Sequence, residues 1–252
     1  MANNTAKIAL VTGAARGIGH AIVKDFLNDG YRVIALDRNV FSDASLSAAF
    51  PETLWCKQLD ITNAAAIKAL PAEIIARWGH VSVLVNNAGI SPKQADGYSA
   101  KILDTTNEEW QAVIAVNMTA VLHMSQAFLP GMKEMQWGRI INLSSLAGRT
   151  KSISAGISYM ATKAAILGIT RSIAAEMGPF GITANAVAPG RIVTEMSMTA
   201  GAEANQKIAD ALPVRRLGEV QEIAQAVKYL ASDQAGFVNG AVLDINGGIF
   251  MS

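Results

Sequence analysis

Cysteine is nearly absent: Cys56 stands alone among 252 residues, so no internal disulfide can form. One thiol in a chain this long fits a reducing compartment. Charge is scarce too. Charged residues make up 16% of the chain and the net charge is +1, with no basic block and no acidic tail. The electrostatic footprint of a nucleic-acid binder or of a protein held on an anionic membrane is missing. The three histidines, His20, His80 and His123, are scattered without ligand spacing, so no metal site is expected. No run approaches 18 apolar residues, and the opening MANNTAK has no apolar leader region. The expectation is a soluble cytoplasmic protein with no membrane and no nucleic-acid partner.

Hydrophobic side chains are plentiful, at 51%. There is no internal repeat, low-complexity tract or linker, so residues 1–252 read as one domain. Short apolar runs recur at Lys7–Val11, Tyr31–Leu36, Leu54–Leu59, Val81–Val85, Ile140–Leu143, Ile182–Val187 and Ala241–Ile245. Helical patterns separate them: from Ile18 to about Gly30, from Thr62 or Asn63 to about Trp78, from Glu108 to Met135 as one long helix or as two with a break near Pro130, and from Glu219 to Ala231. Such alternation predicts an α/β, doubly wound, Rossmann-type parallel sheet of seven strands with helices on both faces. A Met/Ser/Ala-rich stretch over 191–212 has the weak pattern of a mobile substrate lid or of a plain surface loop.

The chemistry gathers at predicted strand ends, where ligands bind in such sheets. After the first strand comes Thr12-Gly13-Ala14-Ala15-Arg16-Gly17-Ile18-Gly19. Glycines here let the backbone approach a pyrophosphate at a helix N-terminus, although an ordinary glycine-rich turn has the same look. Asp37 ends the second strand, 18 residues after Gly19. A carboxylate there binds the ribose hydroxyls of NAD and repels a 2′-phosphate; Arg16 and Arg38 pull the other way. NAD is therefore preferred over NADP. The fourth strand ends in Asn86-Asn87-Ala88-Gly89, and a long loop follows over 91–106. Asn117 sits in the apolar face AVIAVNMTAVL, where its amide needs partners.

The segment 140–168 carries the reaction group. A strand, two serines and a Gly-containing loop lead to a helix bearing Tyr159 and Lys163. Residues four apart share a helix face. The cation is expected to lower the phenol below its usual value of about 10, which suits proton transfer near neutral pH. Ser145 can hydrogen-bond the same substrate oxygen. Alone, the Tyr-x-x-x-Lys spacing is weak, because an amphipathic helix with a core ring and a solvated lysine shows it too.

Taken together, these pieces resemble a short-chain dehydrogenase/reductase over essentially the whole chain. They are Thr12–Gly19, Asp60, Asn86–Gly89, Asn117, Ser145, Tyr159, Lys163, Pro189-Gly190 and Thr194. The resemblance implies that Tyr159 is the acid/base. Lys163 would lower its pKa and hold the nicotinamide ribose, Ser145 would polarise the substrate oxygen, and Asn117 would hold a water beside Lys163. It implies that Asp60 and Ile61 flank the adenine and that Asn87, Ala88 and Gly89 lie along the cofactor. Ile192 and Thr194, after Pro189 and Gly190, would reach the carboxamide. It further implies a homotetramer with apolar helices at Val113–Leu129 and Ala161–Ile173 between subunits. Ser144 is the alternative to Ser145. Ser145 and Tyr159 are 14 residues apart, one more than close relatives suggest, and Val220 stands where relatives often have proline.

The expected function is hydride transfer between NAD(H) and a small secondary alcohol or ketone. The sequence is also similar to 3-oxoacyl-carrier-protein reductases, which mostly use NADPH. A sugar, polyol or hydroxy-acid dehydrogenase fits equally, and a non-catalytic dinucleotide sensor is the rival from another class. Lys93, Arg149, Lys151 and Arg191 fall on loops expected to rim the cleft, which favours an anionic substrate unless they are simply solvated.

Overall fold

A computed structural model describes residues 7–94, 97–152, 154–198 and 201–251. Seven strands form one parallel sheet: β1 Ile8–Thr12, β2 Arg32–Asp37, β3 Leu54–Gln58, β4 Val83–Asn86, β5 Gly138–Leu143, β6 Ile182–Pro189 and β7 Val242–Ile245. Their order is β3-β2-β1-β4-β5-β6-β7. The direction of winding reverses between β1 and β4, which opens a crevice at their carboxyl ends. β1, β4, β5 and β6 are buried throughout their length, as continuous apolar runs in a doubly covered sheet should be.

Helices α1 (Gly17–Asn28) and α9 (Val220–Ala231) pack on one face, around Ile22, Phe26, Ile223 and Val227. The other face holds α3 (Ala64–Arg77), α5 (Ala120–Met135) and α6 (Ile157–Met177), around Ile67, Leu70, Met124, Phe128 and Ile173. One local expectation needs correction, and two stretches gain elements that were not expected. The break in the 107–135 helix is not at Pro130, which lies inside α5. It is a π turn at Ala115–Thr119, between α4 (Asn107–Ile114) and α5, and it carries Asn117. The 191–212 stretch folds into α7 (Glu195–Met198) and α8 (Ala202–Ala211). A short α2 (Ala44–Ala49), capped by Asp43 accepting from the Leu46 amide at 2.8 Å, has no counterpart in the expected elements.

The span 107–135 is long and apolar enough to match a bilayer by length and composition. Its inner side, from Val113 through Ala120 and Met124 to Met132, is instead buried in the fold, and a core helix passes the same test.

Candidate active site

The crevice is built from strand ends that are stitched to one another. Thr12 is the first stitch. Its Oγ1 accepts from the amides of Asn87 (3.0 Å) and Ala88 (3.1 Å), and the Asn87 amide nitrogen donates to the carbonyls of Thr12 and Gly13. Asn87 thus spends its side chain on the glycine turn itself. The turn needs its glycines. Gly13 and Gly17 have φ of +66° and +56°. A Cβ on Gly13 would meet Ala88 Cα at 2.8 Å, and one on Gly19 would meet the Gly13 carbonyl oxygen at 2.1 Å. Helix α1 begins at Gly17 behind Arg16, with no side-chain cap. Its first amides are left to a ligand or to water, which is the donor set an anionic group needs.

Asp37 closes β2. Its carboxylate accepts from the Ala15 amide (3.0 Å) and the Asn39 amide (2.8 Å), so it faces the glycine turn. Arg16 pairs with Glu195 at the start of α7, at 2.6 Å. Asp60 follows β3, accepting from the amide and hydroxyl of Thr62, and these bonds hold its carboxyl below the usual range. Ile61 beside it is buried.

On the other side of the crevice, β6 ends in Pro189 and Gly190. The Gly190 amide donates to the Ile245 carbonyl (2.8 Å), and a Cβ on Gly190 would meet Asn246 Cα at 2.8 Å. Ile192 then bridges to Gly218. Thr194 faces Gly17, its Cγ2 lying 3.7 Å from where a Gly17 Cβ would sit. The loop after β6 therefore closes over the glycine turn.

The side chains expected to react stand between these walls. β5 delivers Ser144 and Ser145, and they point to different tasks. Ser144 is buried and donates to the Lys163 carbonyl (2.7 Å), tying β5 to α6. Ser145 Oγ accepts from the Ala147 amide (3.1 Å) and lies near enough to Tyr159 to favour its ionised form. Tyr159 and Lys163 share the inner face of α6, with the Lys163 Nζ 5.6 Å from the centre of the Tyr159 ring. Lys163 donates to the carbonyl of Leu143, at 2.6 Å. Asn117 is completely buried: its Nδ2 donates to the Ile90 carbonyl (2.9 Å), and its Oδ1 accepts from the Ile90 amide (2.8 Å). A Cβ on Gly89 would lie 3.4 Å from both Asn117 Oδ1 and Lys163 Nζ, so the three residues converge.

Two electrostatic expectations change. Burial raises the Tyr159 pKa above 10, and the nearby Ser145 only partly opposes it. The lysine does not win, because its ammonium is itself desolvated: burial pushes Lys163 down to about 8. The rim cations are also not free. Arg149 makes two bonds to Asp244, of 3.2 and 3.0 Å. Arg191 binds Asn205 Oδ1 and the Ser197 carbonyl (2.7 Å). Lys93 binds Ser99 Oγ and the Ser154 carbonyl. Of the three, only Arg149 is neutralised, by Asp244; Arg191 and Lys93 are held by neutral acceptors and keep their charge. Sequence reasoning passed over Asp244, and it named Ser144 only as the alternative to Ser145 and Thr12 only as the start of the glycine motif; their partners are distant in the chain, and nothing local marks them.

The family model described as enoyl-(acyl carrier protein) reductase matches residues 13–250. The chain belongs to the short-chain dehydrogenase/reductase family. Among its relatives are nodulation protein G of Azospirillum brasilense, 42% identical across 96% of this chain and 98% of that one. The 3-oxoacyl-[acyl-carrier-protein] reductase of Escherichia coli is 37% identical across 99% of both. Among solved structures, a 3-oxoacyl-[acyl-carrier protein] reductase with bound NAD from Brucella melitensis superposes with a TM-score of 0.89. It is 36% identical, over 99% of this chain and 93% of that one. Levodione reductase matches with a TM-score of 0.88 at 29% identity, over 96% of both chains. This dehydrogenase/reductase is an oxidoreductase, of a family that works with nicotinamide dinucleotides.

Proposed function

We propose that the chain is an NAD(H)-dependent oxidoreductase of secondary alcohols and ketones, with Tyr159 as acid/base. The observation that carries this reading is the convergence of Ser145, Tyr159 and Lys163 on a crevice whose opposite wall is the glycine turn. The turn fits a dinucleotide. Its Cβ-free positions leave the backbone open to close approach, and the uncapped start of α1 suits a pyrophosphate.

The dinucleotide, when bound, supplies the hydride acceptor or donor. Tyr159 Oη, a phenol in the folded chain, gives its proton to the ketone oxygen on reduction; in the oxidation it takes the hydroxyl proton once it is itself ionised. Ser145 Oγ donates a hydrogen bond to that oxygen and favours the charge that builds there. Lys163 and Asn117 keep the helix face and the Gly89 turn in place beside the ring. Asp60 and Ile61 would flank the adenine, Asn87, Ala88 and Gly89 would lie along the cofactor, and Pro189, Gly190, Ile192 and Thr194 would hold the carboxamide end. NAD is preferred because Asp37 would face a 2′-phosphate, while Arg16 is occupied by Glu195. The Brucella enzyme solved with NAD supports this choice. Assembly into four chains belongs to the same proposal. The outer faces of α5 and α6 carry Leu122, 44% exposed, and the small exposed Ala161, Ala164 and Gly168.

A second reading, reduction of 3-oxoacyl chains on a carrier protein, is favoured by the relatives of that name at 37–38% identity. A panel of alcohols, ketones and 3-oxoacyl thioesters, run with NAD(H) and NADP(H) in parallel, separates the two. Tyr159→Phe is expected to lower kcat by about 10²–10⁴-fold with folding intact. Full turnover by that variant would remove the mechanism, and cofactor binding without turnover across the panel would indicate a sensor.

A further inference from the structure

We propose that Arg149, through a fork to Asp244 and a stack on Phe250, is a positioning residue for the Ser145–Tyr159 pair. The inference rests on the reading of those two side chains as the reacting ones. Arg149 directly follows the turn Leu146–Gly148. That turn touches the site twice. The Ala147 amide donates to Ser145 Oγ at 3.1 Å. Gly148 lies so close to the Lys163 backbone that a Cβ there would sit 2.6 Å from its carbonyl carbon and oxygen. A displacement of the turn therefore disturbs Ser145 and Lys163 together.

Arg149 is fixed to this turn by its own amide, which donates to the Leu146 carbonyl at 2.9 Å. From there its guanidinium spans to the far edge of the sheet. Nε donates to Asp244 Oδ1 at 3.2 Å and an Nη to Oδ2 at 3.0 Å, the paired geometry that only arginine provides. The two side chains are 20% and 17% exposed, so water and salt screen them poorly. The Phe250 ring covers the guanidinium at 5.1 Å.

The far anchor is also part of the crevice. Asp244 pairs in register with Ala188, and its neighbour Ile245 pairs with Pro189. The Ile245 carbonyl accepts from Gly190, and Asn246, packed against Gly190, donates to the Phe250 carbonyl at 3.0 Å. One guanidinium thus joins the turn that aims Ser145 to the strand and tail that support the loop after β6. β7 has only four residues and pairs with β6 alone, so it gains a second attachment.

The test is a double-mutant cycle in the full chain: Arg149→Met, Asp244→Asn and the pair, with Arg149→Lys and Phe250→Ala as milder steps. Each single change at the fork is expected to lower kcat about tenfold with less than a threefold change in the KM for cofactor. The high-pH limb of the kcat profile should move as Ser145 loses its alignment with Tyr159. The double variant should be no worse than the worse single one. A kcat within twofold of wild type in Arg149→Lys and Arg149→Met, with only the melting temperature lowered, overturns the inference. Additive losses overturn it as well. Where Arg149→Met does not fold, Arg149→Lys and Phe250→Ala decide on the same criteria. The parallel Tyr159→Phe measurement separates the failures: if that variant is inactive and the Arg149 variants are not, only the positioning role falls.

Discussion

Lys163 is 4% exposed, and its ammonium ends on one carbonyl, that of Leu143. Four residues earlier, Tyr159 stands beside Ser145, which favours its ionised form without overcoming burial. Each is shifted toward its neutral form, since burial penalises charge of either sign. The two shifts act on stability in opposite directions. Lys163 titrates at about 8 in the fold and at about 10.4 in an unfolded chain. Between those values the unfolded state holds more protons, so stability rises with pH. Tyr159 is raised above 10, so the folded state holds the extra proton there, and stability falls as pH climbs past 10. Thermal melts from pH 7 to 11 should show a gain between about 8 and 10 and then a decline. In Lys163→Met the gain should vanish while the decline remains. A gain of equal size in that variant would assign the effect to another group.

Helix α6 shows why some residues that look like filler are fixed. Thr162 donates to the Ser158 carbonyl at 3.0 Å, Thr170 to the Ile166 carbonyl at 2.8 Å, and the Lys163 carbonyl takes the Ser144 hydroxyl. The Ser144 bond, together with Asn142 Nδ2 donating to Thr170 Oγ1 at 2.9 Å, ties the helix to β5 and its end, with Tyr159 and Lys163 facing inward. Gly148 packs on the same helix. Gly148→Ala would place a methyl 2.6 Å from Lys163 backbone atoms that have no room to move, and overpacking of this kind costs about 1–3 kcal/mol. Denaturant unfolding should report that loss, and kcat should fall with it, because the methyl pushes on the lysine. Unchanged stability would mean that the turn gives way freely. The strands, and the residues aligned at their ends, were legible beforehand because apolar runs and glycine turns are local signals. The break at Asn117 was not: proline is visible in a sequence, whereas a π turn has no residue of its own. Nor was the commitment of Arg149, whose partner lies 95 positions away. Long-range pairing also hid the role of Thr12, which looks like the end of a strand but organises the turn after β4.

At the scale of the molecule, the proposed cofactor would span six strand ends, from Asp60 after β3 and Asp37 on β2 past β1, β4 and β5 to the loop after β6. A ligand that touches so many strands and binds only the folded chain should stabilise the sheet as a unit. At 100 times its Kd that linkage is worth about 2.7 kcal/mol. For a chain of 252 residues, where each kcal/mol moves the midpoint by about 2–4 °C, a rise in Tm of about 5–10 °C is expected. Specificity enters through one carboxylate. Asp37 accepts two backbone amides and faces the turn where the ribose would lie, so a 2′-phosphate meets a like charge held in place. NAD should therefore raise the Tm well above any effect of NADP at equal concentration. Asp37→Asn keeps one acceptor and removes the charge, so the gap between the two cofactors should narrow, mainly through a larger NADP shift. High salt should narrow it further in the parent chain, because repulsion between partly solvated charges is screened. A parent chain stabilised as much by NADP as by NAD would show that Arg16 leaves Glu195 for the phosphate and outweighs Asp37. The preference for NAD would then be lost while the fold and the proposed reacting trio stayed as described.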